Sequence, residues 1–286
     1  MCNDIVGCIQ SVGNSQLAIF YFMDYRLKDK TALITGSTSG IGFTIADLLL
    51  QEGARVILNG RTDEGVLNAV AKLKKEYPKA LVSGIAADFH DKNSVQELIA
   101  KVKDVDILVN NVGIFTSQPF SDTPDEDWYS LFEVNVMSGV RLSRALLPKM
   151  MAKGWGRIIF ISSECAQLVP EDLIAYSMTK AAMLSISRGL AQTTKGKAVT
   201  VNAVMPGSTL SEGAKRFLSE QAAKQEKRPE DVATDFFKNV RTSSLLGRFT
   251  STEEIAQAVV YLASPLSSAT NGAVFKVDGG SVPGIV

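Results

Sequence analysis

The chain has 286 residues, 45% of them hydrophobic, and thirty basic side chains balance thirty acidic ones. This is enough for one large domain with a sizeable core, and the zero net charge gives no electrostatic footprint for nucleic acid or an anionic membrane. Three cysteines and one histidine argue against a disulfide framework, a Ser-His-Asp hydrolase and a histidine-based zinc site, so we expect no bound metal.

The first 25 residues do not fit the domain that follows. Residues 1–16 are polar and irregular, and the apolar run at 17–23 is too short to span a bilayer. There is no basic region typical of a secretory signal and no Arg-rich transit peptide, so a cytoplasmic location is expected. We expect residues 1–25 to be a disordered extension or an over-long start, with the native start at Met23, and 26–286 to form a single domain.

A glycine-rich turn follows the first predicted strand, residues 31–35, and precedes an amphipathic segment at 43–53. Its sequence is Gly36-Ser37-Thr38-Ser39-Gly40-Ile41-Gly42. Strand, glycine turn and helix in this order are typical of a dinucleotide-binding site, where the glycines allow a tight turn, a close pyrophosphate and close helix packing. The helix N-terminus also offers unpaired N–H groups to phosphates. The alternative is an ordinary strand-to-helix turn that happens to be rich in glycine.

The end of the second predicted strand, residues 55–59, bears on which dinucleotide binds. At this point an acidic residue binds the ribose 2′-hydroxyl of NAD, whereas an arginine binds the 2′-phosphate of NADP. Here Asn59 and Gly60 are followed by Arg61, so no carboxylate repels a phosphate and one cation can pair with it. The sequence therefore favours NADP(H) over NAD(H), with a solvated surface arginine as the alternative.

Tyr176 and Lys180 lie four residues apart in segment 175–192, whose composition predicts a helix. The two side chains therefore share one helix face. A free phenol has a pKa of about 10 and is a poor acid or base near neutrality, but a neighbouring lysine cation is expected to lower that pKa. Such a phenol can protonate an oxygen that becomes an alkoxide as hydride arrives. The same pair also occurs by chance on many amphipathic helices.

Strand-like and helical segments alternate along the chain, without an internal repeat. The predicted strands are 31–35, 55–59, 81–87, 106–110, 157–162, 198–204 and 273–277. This pattern predicts an α/β fold, a Rossmann-type doubly wound seven-stranded parallel sheet with helices on both faces. Ligands of such folds bind outside the carboxyl ends of the strands, where the motifs above fall.

Several motifs in this order resemble those of the short-chain dehydrogenase/reductase family, in its compact single-domain branch, over about residues 27–280. They are Thr35 with the glycine turn, Ala87-Asp88-Phe89, Asn110-Asn111-Val112-Gly113, Asn135, Ser163, Tyr176-x-x-x-Lys180, Pro206-Gly207, Asn271-Gly272 and Val277-Asp278-Gly279-Gly280. The resemblance implies a homo-oligomer, tetramer or dimer, assembled through helices at 125–153 and 175–194.

The resemblance also implies cofactor contacts in the first half of the chain. Asp88 is similar to the family residue whose carboxylate meets the adenine amino group, and Asn110, Val112 and Gly113 belong to a segment that lies against the cofactor. Ser39 stands where many NADP-dependent relatives have a basic residue. The 2′-phosphate would then depend mainly on Arg61 and nearby hydroxyls.

Further cofactor contacts are implied after the strand at 198–204. In the family this turn, here Pro206-Gly207, packs on the nicotinamide ring, and hydroxyls just beyond it bind the carboxamide. Thr209 and Ser211 occupy those positions, and Ser211 stands where relatives often have a second threonine.

The implied catalytic residues are Ser163, Tyr176, Lys180 and Asn135. Ser163 lies thirteen residues before Tyr176, which is the family spacing, and the alternation of strand side chains keeps Ser162 from facing the same side. Ser163 would polarise the substrate carbonyl and Tyr176 would give the proton. Lys180 would also bind the nicotinamide ribose, and Asn135 would hold a water that connects the lysine to solvent. The alternative for Asn135 is a satisfied core asparagine.

Residues 208–250, called the lid below, predict helices at 211–223 and 229–240, which in this family cover the substrate. The lid carries mixed charges, so no docking surface for an acyl-carrier protein is indicated. Four apolar side chains could line a substrate pocket or only pack the lid: Phe217, Leu218, Phe236 and Phe237.

The leading hypothesis is an NADP(H)-dependent oxidoreductase that interconverts a ketone or aldehyde with an alcohol, with a 3-oxoacyl thioester as one candidate substrate. A non-catalytic NADP-binding sensor or scaffold is the alternative from another class, and the intact set of catalytic residues argues against it. An epimerase or dehydratase of the longer branch of the superfamily is disfavoured by the compact length and the Gly-x-x-x-Gly-x-Gly spacing.

Overall fold

Two short antiparallel strands precede the main domain. The computed structural model describes residues 7–12, 16–21 and 24–285, and it pairs β1 (Gly7–Val12) with β2 (Gln16–Tyr21). The sequence leaves open a disordered extension or an over-long start here, and both stay predictions. The sequence of β2, QLAIFY, contains several residues that favour extended backbone. Met23 lies outside the described residues, and a native start there stays a prediction.

Seven parallel strands form the main sheet, in the order β5-β4-β3-β6-β7-β8-β9. Their bounds are β3 (Thr31–Ile34), β4 (Arg55–Gly60), β5 (Val82–Ala86), β6 (Ile107–Asn110), β7 (Gly156–Ile161), β8 (Val199–Pro206) and β9 (Val274–Val277). The strand order reverses between β3 and β6, and ligands of such sheets bind at the carboxyl ends beside this point. The predicted Rossmann-type, doubly wound sheet is confirmed.

Helices cover both faces of the sheet. Their bounds are α1 (Gly40–Gln51), α2 (Asp63–Glu76), α3 (Lys92–Lys101), α4 (Asp125–Phe132), α5 (Ser138–Lys153), α6 (Cys165–Leu168), α7 (Ile174–Thr193), α8 (Glu212–Gln225), α9 (Pro229–Asn239) and α10 (Thr252–Ala263). A π-helical turn, Glu133–Met137, joins α4 to α5. Within the described ranges, no helix combines the length and apolar character needed to cross a bilayer.

In the described part of the chain, beside a small apolar cluster in the lid that includes Leu218 and Val232, two large apolar clusters form the core of the sheet domain. One includes Ile45 and Leu49 of α1 and Val259 of α10, and the other includes Leu142 of α5 and Met183 of α7. All four residues of β6 are buried, which is typical of a central parallel strand covered by helices on both sides. The polar strand ends therefore project from an apolar sheet along its carboxyl edge.

Local sequence sets several helix bounds. Ser251 and Glu254 form a reciprocal capping box at the start of α10, and Thr62 caps α2 by accepting the Gly65 N–H. Helix α5 ends at Gly154, whose φ of 80° is the left-handed conformation that glycine adopts at helix ends.

Candidate active site

The glycine turn between β3 and α1 is bound to the end of β4. Gly36 has a φ of 61° and donates its N–H to Asn59 Oδ1 at 3.2 Å. The buried Ser37 hydroxyl donates to the Ile34 carbonyl at 2.8 Å and accepts the Asn59 N–H at 3.0 Å. Asn59 Nδ2 donates to the Ile85 carbonyl at 3.0 Å. The Asn59 side chain and the Ser37 hydroxyl therefore hold the turn in place.

Asn111 binds the same turn from the side of β6. Its Nδ2 donates to the carbonyls of Thr35 at 2.9 Å and Gly36 at 3.0 Å. Thr35 Oγ1 in return accepts the N–H groups of Asn111 at 2.9 Å and Val112 at 3.0 Å. The cofactor contacts that the family resemblance implies for this segment, Asn110, Val112 and Gly113, leave Asn111 out. The sequence signal for this role is the position of Asn111, directly after the buried strand β6.

Gly42→Ala is expected to lower the free energy of unfolding by about 2 kcal/mol. An added Cβ would lie 2.5 Å from Asn111 Nδ2 and 2.6 Å from the Gly36 carbonyl oxygen, so the turn would have to move. Urea unfolding measures the change. Gly189→Ala is the matched control, because Gly189 is an exposed position in α7 with nothing within 4 Å of an added Cβ, and it should stabilise by up to about 1 kcal/mol. Equal losses in both variants would contradict the packing argument.

The N-terminus of α1 is open toward the lid. The exposed Ser39 is the N-cap of α1 and makes no side-chain capping hydrogen bond, so the first N–H groups of the helix are available to an anion. Gly40 has a φ of 58°, and its added Cβ would lie 3.6 Å from Ser211 Cβ. Thr38 packs on Gly60, where an added Cβ would lie 2.4 Å from the Thr38 methyl.

Charged groups flank the outer side of the turn. Arg61 is exposed directly after β4. The His90 N–H, 3.0 Å from Asp88 Oδ1, is the largest cause that holds the pKa of Asp88 below its ordinary value, and the Arg61 charge also lowers it. The His90 ring joins Asp88 to α4, because its Nδ1 lies 3.1 Å from Asp88 Oδ1 and its Nε2 lies 3.0 Å from Ser130 Oγ.

The two serines after β7 have different surroundings. Ser162 Oγ donates to the Lys180 carbonyl at 2.9 Å and is buried against α7. The Ser163 hydroxyl interacts with the Tyr176 phenol and accepts the Cys165 N–H at 3.2 Å. The structure thus brings Ser163, the serine selected from the sequence, to Tyr176, whereas Ser162 binds the backbone of α7.

The protonation of Tyr176 differs from the sequence prediction. Burial raises the pKa of Tyr176 above its ordinary value, and negative charge at Cys165 and Glu164 acts in the same direction. Lys180 Nζ donates to the Ile161 carbonyl at 2.9 Å and stands 5.5 Å from the centroid of the Tyr176 ring. Burial also lowers the pKa of Lys180 to about 8. The predicted lowering of the Tyr176 pKa by Lys180 is therefore wrong for this arrangement, because both groups lose solvent.

The π-helical turn carries the buried Asn135. Asn135 Oδ1 accepts the Ile114 N–H at 2.8 Å, and Nδ2 donates to the Ile114 carbonyl at 2.9 Å and to Thr179 Oγ1 at 3.0 Å. The Thr179 hydroxyl donates onward to the Tyr176 carbonyl at 2.7 Å. Asn135 therefore joins the loop after β6 to α7. Its side-chain amide is satisfied by protein groups, and the implied water relay stays a prediction.

Other predicted cofactor residues differ in orientation. Gly113 faces the catalytic groups, since an added Cβ would lie 3.4 Å from Lys180 Nζ. The Asn110 side chain turns toward α5, where Nδ2 donates to Ser143 Oγ at 3.3 Å. The Ile41 side chain packs on the core. Asn110 and Ile41 can therefore meet a cofactor through their backbone and not through their side chains.

The turn after β8 is held on both sides. Gly207 has no room for a side chain, because an added Cβ would lie 2.7 Å from Asp278 Cα. The Thr209 hydroxyl lies 2.9 Å from the Thr250 hydroxyl, and Ser211 Oγ caps α8. Both predicted carboxamide-binding hydroxyls thus already have protein partners.

Known proteins resemble this chain over most of its length. A family model described as enoyl-(acyl carrier protein) reductase matches residues 36–281. The chain is 46% identical over 260 residues to the uncharacterized oxidoreductase YvaG of Bacillus subtilis, which covers 91% of this chain and 98% of that protein. It is 32% identical to the 3-oxoacyl-(acyl-carrier-protein) reductase FabG of Haemophilus influenzae, over 89% of this chain and 98% of that protein.

Among solved structures, L-sorbose reductase from Gluconobacter frateurii, complexed with NADPH and L-sorbose, has a TM-score of 0.86 at 31% identity. The match covers 92% of this chain and all of that one, 100%. The non-catalytic alternative gains no support, because these relatives are named as reductases or oxidoreductases. The chain belongs to the short-chain dehydrogenase/reductase family of oxidoreductases.

Proposed function

We propose that the protein is an NADP(H)-dependent enzyme that transfers hydride between nicotinamide and a carbonyl or alcohol substrate. The observation that carries the proposal is the continuity between the glycine turn and the catalytic groups. An added Cβ on Gly36 would lie 3.0 Å from Val112 Cα, and the next residue, Gly113, lies against Lys180 Nζ. One short segment therefore borders both the phosphate end and the reacting end of the site.

The residues present fit a nicotinamide dinucleotide. Gly36 and Gly42 leave no space for side chains, and the uncapped start of α1 can receive the pyrophosphate. Arg61 would hold the 2′-phosphate, since the Asn59 side chain is buried in the turn and no acidic side chain occupies that strand end. The Asp88 carboxylate, 42% exposed, would meet the adenine amino group. The chemistry that the nicotinamide supplies here is a hydride.

The side chains around Tyr176 fit carbonyl reduction. The raised pKa keeps its phenol protonated at neutral pH, which is the state needed to protonate a developing alkoxide. Ser163, which interacts with that phenol, would polarise the same substrate oxygen. The Phe115 ring packs edge-on against Tyr176 with centroids 6.1 Å apart. Asn135 and Thr179 position the helix that carries the phenol.

The lid indicates substrates with an apolar portion. A hollow of about 510 Å³ lies between α8 and α9, and its apolar lining includes Leu210, Leu218, Phe237 and Phe249. Ketones larger than a few carbons, 3-oxoacyl thioesters among them, would suit such a surface.

The direct test is oxidation of NADPH and NADH at 340 nm across ketones, diketones, quinones, sugars with a keto group and 3-oxoacyl thioesters. Turnover with NADPH and one substrate class supports the proposal. Silence across this panel while NADPH binds tightly would count against it.

Arg61→Ala is expected to raise the Kd for NADPH by about tenfold or more and to leave the Kd for NADH within about twofold, because a charge-assisted contact to the 2′-phosphate is lost. Fluorescence titration of both dinucleotides measures the effect. Arg55→Ala is the matched control, since Arg55 lies at the opposite end of β4 and pairs with Asp29 at 3.4 Å. A parallel loss of NADH affinity in Arg61→Ala would reject the 2′-phosphate assignment.

A further inference from the structure

A buried ion pair joins the turn that follows the catalytic serine to the lid. Glu164, the residue after Ser163, has a side chain only 3% exposed, and it accepts the Arg241 Nε–H at 2.9 Å and the Ser208 hydroxyl at 2.9 Å. Arg241 follows α9 in the lid and its side chain is 12% exposed. Glutamate is almost never fully buried without a partner, so this lid ion pair, Glu164 with Arg241, is a specific structural feature.

One oxygen of the Glu164 carboxylate is left without a partner in the lid ion pair. Glu164 Oε2 is buried without a hydrogen-bond partner in the described part of the chain. The outer end of the guanidinium turns to another group, because Arg241 Nη2 lies 3.9 Å from Cys165 Sγ. Arg241 is thus the cation that offsets the Glu164 carboxylate, and it reaches that carboxylate only while the lid lies against α6.

Glu164 directly follows Ser163, whose hydroxyl interacts with the Tyr176 phenol. Glu164 and Cys165 are the charged or ionisable neighbours that act unfavourably on the Tyr176 phenolate, and the Ser163 hydroxyl opposes them. Other charged groups on nearby elements are engaged elsewhere. Asp127 accepts Gln118 Nε2 at 2.7 Å, Asp172 accepts the Ser117 hydroxyl at 2.6 Å, Glu133 pairs with Arg141 at 2.6 Å, and Lys180 Nζ donates to the Ile161 carbonyl at 2.9 Å.

We propose that Arg241 is a positioning residue that couples the lid to the proton donor through Glu164. With Arg241 seated, α9 is held over the Ser163 turn and the carboxylate beside Tyr176 is neutralised. With the lid displaced, an uncompensated carboxylate remains beside the phenol and disfavours loss of its proton. The role at Tyr176 rests on the proposed function, whereas the contact of the lid with Glu164 and Cys165 does not.

The test uses Cys165 as a probe of both access and charge, and it needs no turnover. The full-length protein is treated with iodoacetamide across pH 7.5–10.5, and alkylation of Cys165 is followed by peptide mass spectrometry. The limiting rate at high pH reports access to the thiol, and the midpoint reports its pKa. Burial raises the pKa of Cys165; the Ser163 hydroxyl and the Arg241 charge lower it, and the Glu164 charge raises it.

Arg241→Met is expected to raise the limiting rate about tenfold. Because greater exposure lowers the Cys165 pKa in both lid variants, the charge effect is measured as a difference, with the Arg241→Met midpoint about one pH unit above the Glu164→Gln midpoint. Glu164→Gln should also raise the limiting rate, but its midpoint should move downward. Arg228→Met is the matched control, because Arg228 is the N-cap residue of α9 in the lid and pairs with Asp231 at 2.8 Å. This variant should change neither the limiting rate nor the midpoint. Arg241→Lys keeps the positive charge, so its midpoint should lie close to the wild-type value.

A loss of packing alone would give Arg241→Met and Glu164→Gln the same midpoint. Equal midpoints in these two variants, or an Arg241→Met profile equal to that of Arg228→Met, would overturn the proposal. Because each single change leaves a buried charge unpaired, the variant Glu164→Gln/Arg241→Met is included, and it should combine the fast limiting rate with a midpoint between those of the two single variants. A silent substrate panel together with these midpoint differences would count against the proposed function and not against the lid ion pair.

Discussion

Tyr176→Phe is expected to lower kcat for carbonyl reduction by about a thousandfold and to leave the Kd for NADPH within about twofold of the wild-type value. The substitution removes the phenolic oxygen that interacts with Ser163 and keeps the ring. The ring centroids of Tyr176 and Phe115 are 6.1 Å apart, and Lys180 Nζ lies 5.5 Å from the Tyr176 centroid. Both contacts involve the ring, so they should persist in the phenylalanine variant. A large kinetic loss without a binding loss therefore isolates the proton transfer.

Single-turnover decay of NADPH absorbance at 340 nm gives the rate of the chemical step, and fluorescence titration gives the Kd. Tyr129→Phe is the matched control, since Tyr129 is 72% exposed on α4 and the same oxygen atom is removed there. It should keep both values. Near-normal turnover in Tyr176→Phe would refute the mechanism, and an equal loss of NADPH binding would show that the phenol acts in the ground state.

The fold could be predicted because its signals are local. Apolar strands that alternate with amphipathic helices require a parallel sheet covered on both faces, and the observed strand bounds agree with the predicted ones to within two residues. The choice of Ser163 over Ser162 comes from the thirteen-residue spacing to Tyr176 that is typical of the family. In the structure both serines follow the end of β7 and interact with α7, Ser162 with the Lys180 carbonyl and Ser163 with Tyr176.

The electrostatics of the site could not be predicted in the same way. Spacing places Lys180 one helical turn after Tyr176, but the effect of a charge also depends on desolvation and on where the ammonium points. Here the Lys180 Nζ donates to the Ile161 carbonyl, and burial dominates both pKa values. The direction of the Tyr176 shift is a property of the packed site and not of the motif.

Contacts between segments that are distant in the sequence could not be predicted from the sequence either. Glu164 and Arg241 lie 77 positions apart, and nothing in the composition of the lid distinguishes Arg241 from its other charged residues. The roles of the apolar lid residues also become distinct only in the structure. Phe236 stacks on Phe249 at 5.2 Å between centroids and Phe237 packs edge-on against Phe249 at 5.0 Å, whereas Phe217 is 54% exposed. Assembly through α4, α5 and α7 stays a prediction.

Lys180→Met is expected to stabilise the protein relative to the wild type more strongly at pH 7 than at pH 10. The stabilisation at pH 7 should exceed that at pH 10 by about 2 to 3 kcal/mol. Burial lowers the pKa of Lys180 from 10.5 to about 8, so between these values the unfolded chain binds more protons than the folded one. Wild-type stability therefore rises with pH through this window. Below pH 8 the buried amine is charged in the folded protein, and the wild type loses the stability that it has at high pH. The stability of the methionine variant does not depend on this ionisation.

Urea unfolding at pH 7 and pH 10 measures the difference, with Lys149→Met, on the exposed face of α5, as the matched control that should show no such change. The same Lys180→Met variant should lose turnover, since its ammonium stands over the Tyr176 ring and borders Gly113 at the reacting end of the site. A variant that gains stability at pH 7 and loses activity would show that the buried amine is kept at a cost to the fold. A pH-independent difference would instead mean that Lys180 remains charged in the folded protein, and its position beside the phenol would then lower the pKa of Tyr176 as the motif alone predicts.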